Sequence, residues 1–486
     1  MANNPLRNIP SVNELLENPS LKNLVDKVSH HVVVSEVRTF LDTLRTDLQQ
    51  KASELNVPTV GELADRIATW IVTDQKPTLQ PVINATGILL HTGLGRSPLA
   101  DEAIEEIEKV SRGYASVEVD LESGQRSQRI LAVEKLLREL TGAEAALVVN
   151  NNAGATLLAL AALAKGKEVI VSRGQLVEIG GSYRLPEVME VSGAILREVG
   201  TTNKTRIGDY ENAIGEETGA LLKVHPSNYV VTGFTSEASL PELVALGRQH
   251  DLPVIDDIGS GALVDFQQFG LAGEPIATES LAQGADVVLF SGDKLLGGPQ
   301  CGIIVGQKEL ITKITKHPLT RALRVDKMTL ASLAATLRLY RDPEVAGEAI
   351  PLLRLLGTSA ENLKNRAERL APRIAEMPAI AAAEIVADHA YLGGGSVPSQ
   401  QLPTWCIALT PNERSVDELA GELRTADRAI FGRIQQDRLL LDLRAVFPQE
   451  DMIILETLQS LPGKPALPNE GEATEAPASL SEETPA

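Results

Sequence analysis

Residues 145–164 read AALVVNNNAGATLLALAALA, and this stretch decides the fold. The first five residues are apolar with no polar alternation, as suits a strand buried on both faces of a parallel sheet. Thr156 to Ala164 is apolar enough for a helix lying on that sheet, and a turn of small polar residues joins the two. Working outward, runs at 168–172, 194–199, 220–225, 253–258, 285–290 and 302–305 repeat the pattern, separated by helical stretches. Strands alternating with crossover helices predict an α/β fold with a mainly parallel sheet.

The chain has 486 residues, 43% of them hydrophobic and 3% aromatic. It is too long for one core, too apolar for disorder, and too poor in aromatics for a sandwich or barrel. The formal charge of −20 opposes loose binding to nucleic acid or anionic lipid. Cys301 and Cys406 are too few for a disulfide framework and too far apart for a metal knuckle. With no apolar leader and no run of membrane-spanning length, a soluble cytoplasmic protein without a bound metal is expected.

Four regions are expected. Residues 1–75 read as short helices, opened by the capping pattern Ser11-Val-Asn-Glu14 and continued by an amphipathic stretch over 32–48. Seven Lys/Arg face ten Asp/Glu there, so this unit is not visibly basic. Residues 76–340 hold the strand–helix alternation and end on a long helical linker, 326–341. Residues 341–460 mix helices with strand-like runs at 405–409 and 439–443, as in a small α+β domain. The tail 461–486, rich in Pro, Ala, Glu and Ser, is expected to be disordered.

Three elements carry chemistry. Ser291-Gly-Asp-Lys294-Leu-Leu-Gly-Gly directly follows the run 285–290. A lysine at a strand end, among small residues, has the access that a Schiff base needs, although a solvated loop lysine would look the same. Ser291 adds a hydroxyl for a phosphate. Asn151, Asn152, Ala153 and Gly154 lie at the start of the helix after 145–149, where free N–H groups and the helix dipole attract an anion. No Gly-Lys-Ser/Thr closes this loop and no G-x-G-x-x-G is present, so it is neither a P-loop nor a dinucleotide fingerprint. In Pro253-Val-Ile-Asp-Asp257 the two acids point to opposite faces, and Asp257, nearer the turn, is the one expected at the ligand edge of the sheet. His225-Pro-Ser-Asn228, at another strand end, offers Asn228 as a donor and His225 as either a site residue or a satisfied histidine.

An anion loop, a strand-end Asp and a later lysine in this order resemble the fold-type-I pyridoxal-phosphate enzymes. Longer strings narrow the resemblance: Ile83-Asn-Ala-Thr-Gly87, His91-Thr-Gly-Leu-Gly-Arg96, Val199-Gly-Thr-Thr-Asn203, Lys223-Val-His-Pro-Ser-Asn228, the Lys294 string, and Pro318-Leu-Thr-Arg-Ala-Leu-Arg324. Together, over roughly residues 5–460, they are similar to the bacterial L-seryl-tRNA(Sec) selenium transferases, or selenocysteine synthases. Departures from the family pattern fall at Gly93, Gln175 and Ser127-Gln128.

The resemblance implies a pyridoxal 5′-phosphate cofactor on Lys294, with Asp257 at its pyridine nitrogen and Asn151, Asn152, Ala153, Gly154, Asn228, His225 and Ser291 around it. It implies conversion of seryl-tRNA(Sec) through an aminoacrylyl-tRNA intermediate to selenocysteinyl-tRNA(Sec), with selenophosphate as donor. Lys294 and Asp293 then belong to the catalytic set, as do Arg96, Arg321 and Arg324 as anion-binding arginines; on a helical 318–327, Arg321 and Arg324 share a face. It further implies a tRNA-binding N-terminal unit and dimers assembled into a decamer. Two other readings stay open: an ammonia-lyase or aldolase acting on an amino-sugar phosphate, and a catalytically silent tRNA-binding scaffold.

Overall fold

A computed structural model describes residues 9–50, 58–74, 77–127, 129–179, 183–394, 396 and 400–461. The chain divides into two compact units, Met1–Pro81 and Val82–Ala486. The acidic tail expected to be disordered lies, apart from Leu461, outside the described residues. No helix among the described residues is long and apolar enough to cross a membrane.

Among the described residues the first unit contains four helices: α1 Val12–Leu16, α2 Pro19–Lys27, α3 His30–Gln50 and α4 Val60–Asp74. Ser11 caps α1 by accepting from the Glu14 N–H at 3.2 Å, and Asn18 with Pro19 starts α2. Val33, Val37 and Leu41 recur at i, i+4 on α3, as do Leu63, Ile67 and Ile71 on α4, and all six are buried in one core. Phe40 and Trp70 close it edge to face, 5.7 Å apart.

The second unit contains two large sheets. Its strands are β1 Val82–Ala85, β2 Ile88–Leu90, β3 Ala145–Val149, β4 Glu168–Ser172, β5 Glu178–Ile179, β6 Tyr183–Arg184, β7 Ile195–Val199, β8 Thr218–Val224, β9 Val254–Gly259, β10 Val287–Ser291, β11 Gly302–Gly306, β12 Ile380–Gly393, β13 Leu402–Pro411, β14 Ala429–Gln435 and β15 Arg438–Asp442. The larger sheet runs β3-β11-β10-β9-β8-β4-β7 and contains all seven expected runs. Every residue of β3, β10 and β11 is buried. α5 Asp101–Ser111 and α6 Leu131–Thr141 follow the 3.6-residue pattern, whereas α7 Asn152–Leu163 is apolar nearly all round, as its burial requires.

One strand departs from the parallel expectation. β11 is antiparallel to both β10 and β3. Only residues 292–301 separate β10 from β11, and a return in the parallel sense needs a crossover of a dozen or more residues. Because β3 is reversed twice relative to β10, both still end on the same edge as β8 and β9, where α/β sheets bind ligands.

The second sheet runs β1-β14-β15-β13-β12-β2, with β1 parallel to β14 and β2 parallel to β12. Residues 82–90 thus pair with C-terminal strands, whereas the sequence reading grouped them with 76–340. The cause is long-range: β1 and β2 are only four and three residues long and find their partners beyond residue 379. Arg433 anchors them, donating to the Thr86 carbonyl at 2.8 Å and pairing with buried Asp442 at 2.8 Å.

Candidate active site

Lys294 sits three residues beyond the end of β10 in a tight turn. Gly292 N–H donates to the Cys301 carbonyl at 2.9 Å, Gly298 N–H to the Gly292 carbonyl at 2.9 Å, and Gly297 N–H to the Lys294 carbonyl at 3.0 Å. Its side chain is 4% exposed, which removes the solvated-surface reading. Burial first, and the Arg96 guanidinium second, push its ammonium below the ordinary lysine range. An amine that sheds its proton readily is a nucleophile toward an aldehyde.

The lysine opens into a cavity of about 200 Å³ that also receives Arg96, Asn151, Asn152, Ala153, His225, Asp257, Ser291 and Asp293. Asp257 is 5% exposed at the end of β9; Asn152 Nδ2 donates to its Oδ1 at 2.9 Å, Gly259 N–H to the same oxygen at 3.1 Å, and Thr156 Oγ1 to Oδ2 at 2.8 Å. Burial pushes this carboxyl up, and these bonds pull against it. Asp256 turns to the opposite face, where it bonds Ser280, and burial pushes it up to about 6. The alternation of the strand separates the two acids as expected.

At the start of α7, Asn151 is the N-cap and its Oδ1 accepts from the Gly154 N–H at 2.8 Å. Gly154 therefore spends its donor on the cap and is not a cavity residue; a Cβ there would stand 2.9 Å from Asn150 Oδ1. The anion loop reaches this position only because β11 begins with Gly302, where a Cβ would collide with the Asn151 carbonyl. Asn152 Oδ1 is buried with no hydrogen-bond partner, an acceptor held at a ligand cavity.

Asn228 is placed differently from the expectation. Its Nδ2 donates to the Glu178 carbonyl at 2.8 Å, and the neighbouring Ser227 lines the cavity instead. His225 does line it, with Nε2 3.8 Å from Glu274 Oε1. Arg96, in the left-handed region at φ 61°, pairs with Asp293 at 2.8 Å and so brings its charge beside Lys294.

Arg321 and Arg324 lie elsewhere, in a cavity of about 500 Å³ with Arg126, Arg129 and Glu118. The expected helix over 318–327 is broken: Leu319–Ala322 is helical, then Asn150 N–H donates to the Leu323 carbonyl at 2.9 Å and Arg324 bridges to Val149. Pairing with the end of β3 takes Arg324 out of the helix yet keeps it in the cavity with Arg321. Glu118 draws three of the four arginines, with Arg129 at 2.8 Å, Arg126 at 3.3 Å and Arg324 at 3.7 Å. The three arginines expected to form one site are thus split between two cavities of this chain.

The sequence model described as L-seryl-tRNA selenium transferase matches residues 82–447, and that of the selenocysteine synthase N terminus matches 6–45. The chain belongs to the L-seryl-tRNA selenium transferase family. It is 49% identical to the L-seryl-tRNA(Sec) selenium transferase of Carboxydothermus hydrogenoformans, across 92% of this chain and 95% of that one. Its identity to the enzyme of the same name from Geobacter sulfurreducens is 48%, across 93% and 98%. Among solved structures, D-glucosaminate-6-phosphate ammonia-lyase shares the fold, with a TM-score of 0.52 at 23% identity over 78% of this chain and 95% of that one.

In this selenium transferase the structure adds cavity residues that sequence reading did not find: Ser227, Tyr183, Gln300 and Val177, with Thr156 behind Asp257. Thr156 carried a signal, since it stands one turn after Asn152 on α7 and so on the same face. Gln175, a departure from the family pattern, is buried and accepts from the Val224 N–H at 3.0 Å, which ties it to the end of β8.

Proposed function

We propose that this chain converts L-seryl-tRNA(Sec) to L-selenocysteinyl-tRNA(Sec), with pyridoxal phosphate bound at Lys294 and selenophosphate as selenium donor. The observation that carries the reading is a buried lysine sharing a cavity with a buried, three-donor aspartate, in a family member matched through both its N-terminal and catalytic parts. The donor set fits the cofactor. Lys294 would meet its aldehyde, Asp257 its ring nitrogen, and the N–H groups of Asn152 and Ala153 with the Ser291 hydroxyl its phosphate. When bound, pyridoxal phosphate supplies an electron sink for charge developing at the seryl α-carbon. Lys294, once free, takes the α-proton, and Arg96 beside it favours the neutral amine that does so. Asp293 fixes Arg96. Against a lyase or aldolase on an amino-sugar phosphate stands the N-terminal match; against a silent scaffold stand Lys294 and Asp257.

Residues 1–81 bind tRNA(Sec) in this reading. Lys27, Arg38 and Arg66 are exposed on that unit, placed cations for a partner read by shape and phosphates. Deleting the unit should abolish capture of seryl-tRNA(Sec) while the visible absorbance of bound cofactor stays. Unchanged tRNA affinity would place the RNA contact elsewhere. The chain also forms homodimers that assemble into a decamer; the exposed Val230, Val231 and Phe234 are apolar surface suited to such a contact.

Arg321 and Arg324 hold selenophosphate in this reading, with Arg96 of the Lys294 cavity as the third anion-binding guanidinium. A planar fork grips an oxyanion with two bonds, which lysine cannot do. Arg324→Lys should therefore cut selenocysteinyl-tRNA yield about tenfold or more. Deuterium exchange at the seryl α-carbon, which rests on Lys294, should stay within about twofold of the parent. If exchange and yield fall together, these arginines position tRNA or serine rather than the donor.

A further inference from the structure

Asp257 has a second layer behind it. Thr156, fully buried on α7, places its Oγ1 2.8 Å from Asp257 Oδ2 and 3.0 Å from the Asn152 carbonyl. A hydroxyl has one proton, and the nearer, charged acceptor takes it. The bond between the two residues is therefore directed, from the Thr156 hydroxyl to a carboxylate oxygen of Asp257.

A proton shared between a pyridine nitrogen and a buried carboxylate stays on nitrogen only while the carboxylate anion is better stabilised than the neutral acid. Burial alone favours the neutral acid. Asn152 and the Gly259 N–H serve Oδ1, so Thr156 is the side-chain donor that serves Oδ2.

We infer that Thr156 is a positioning residue which keeps Asp257 ionised, and so keeps the proton on the ring nitrogen of the bound cofactor. This rests on the proposed pyridoxal-phosphate reading and deepens it, assigning a role to a residue that lies behind Asp257 and not in the cavity lining. Thr156→Val keeps the shape and loses the hydroxyl, and Thr156→Ser restores it.

The test uses the full chain reconstituted with pyridoxal phosphate labelled with ¹⁵N in the ring. Solid-state ¹⁵N NMR of the bound cofactor reads protonation directly, beside α-deuterium exchange on seryl-tRNA. Parent and Thr156→Ser should show a protonated nitrogen. Thr156→Val should move toward the unprotonated shift and lose about ten- to hundredfold in exchange, the worth of one hydrogen bond to a charged group. In an Asp257→Asn background, Thr156→Val should change nothing further, because its target is gone. A parent-like ¹⁵N shift in Thr156→Val overturns the inference, as does a full additional loss in the Asp257→Asn background. A parent chain that takes up no cofactor overturns the underlying reading instead, which the labelled parent sample shows at once.

Discussion

Lys294→Ala will be colourless after reconstitution with pyridoxal phosphate and will exchange the α-proton of seryl-tRNA(Sec) at least about a thousandfold more slowly than the parent. Two losses combine. The amine that attaches the cofactor is gone, and so is the base that takes the α-proton. Borohydride treatment of the parent, followed by proteolysis, should place the reduced cofactor on the peptide containing Lys294. A labelled peptide from another part of the chain, or a variant that still exchanges, would remove Lys294 from the centre of the chemistry. The Lys294 loop should be unaffected otherwise, because its turn is closed by backbone bonds among Gly292, Gly297, Gly298 and Cys301 rather than by the side chain.

The second large effect is expected at Asp257. Asp257→Asn keeps the volume and accepts a hydrogen bond through its oxygen, so fold and cofactor binding should persist. The amide cannot hold a proton on the ring nitrogen, and turnover should drop by about 10² to 10⁴, the range for a charge placed against the developing transition state. Asp256→Asn supplies the contrast. That side chain faces Ser280 on the far side of the strand, so its neutral replacement should leave α-proton exchange within about twofold. Equal losses at both positions would mean that the strand, and not the carboxylate, is what the reaction needs.

Local features of the site were legible where a residue's role follows from period or spacing. The unbroken apolar runs predicted the strands of the larger sheet, and strand alternation separated Asp257 from Asp256. The antiparallel β11 was also within reach, since the ten residues after β10 are too few for a crossover. Other features depend on partners distant in sequence. Nothing local in Val82–Ala85 signals pairing with Ala429–Gln435, and nothing in Leu319–Arg324 signals that Arg324 will bridge to Val149. The exchange of Asn228 for Ser227 belongs to turn geometry: adjacent residues after a strand diverge, and the Glu178 carbonyl captured one of them. Gly154 looked like a phosphate-loop glycine because a cap and an anion site use the same N–H groups, and only the Asn151 side chain reveals which use prevails.

The placement of β1 and β2 in the C-terminal sheet has a bearing on synthesis. The Arg433–Thr86 bond that anchors residues 82–90 joins groups 347 positions apart. A nascent chain that has emerged as far as β11 already carries Lys294, Asp257 and the anion loop, yet the segment leading into Arg96 still lacks the strands it will join. Closing so long a loop is the slow, late event in folding. A product terminated before β12 would therefore carry Lys294, Arg96 and its partner Asp293, yet leave the strands that lead into Arg96 unpaired.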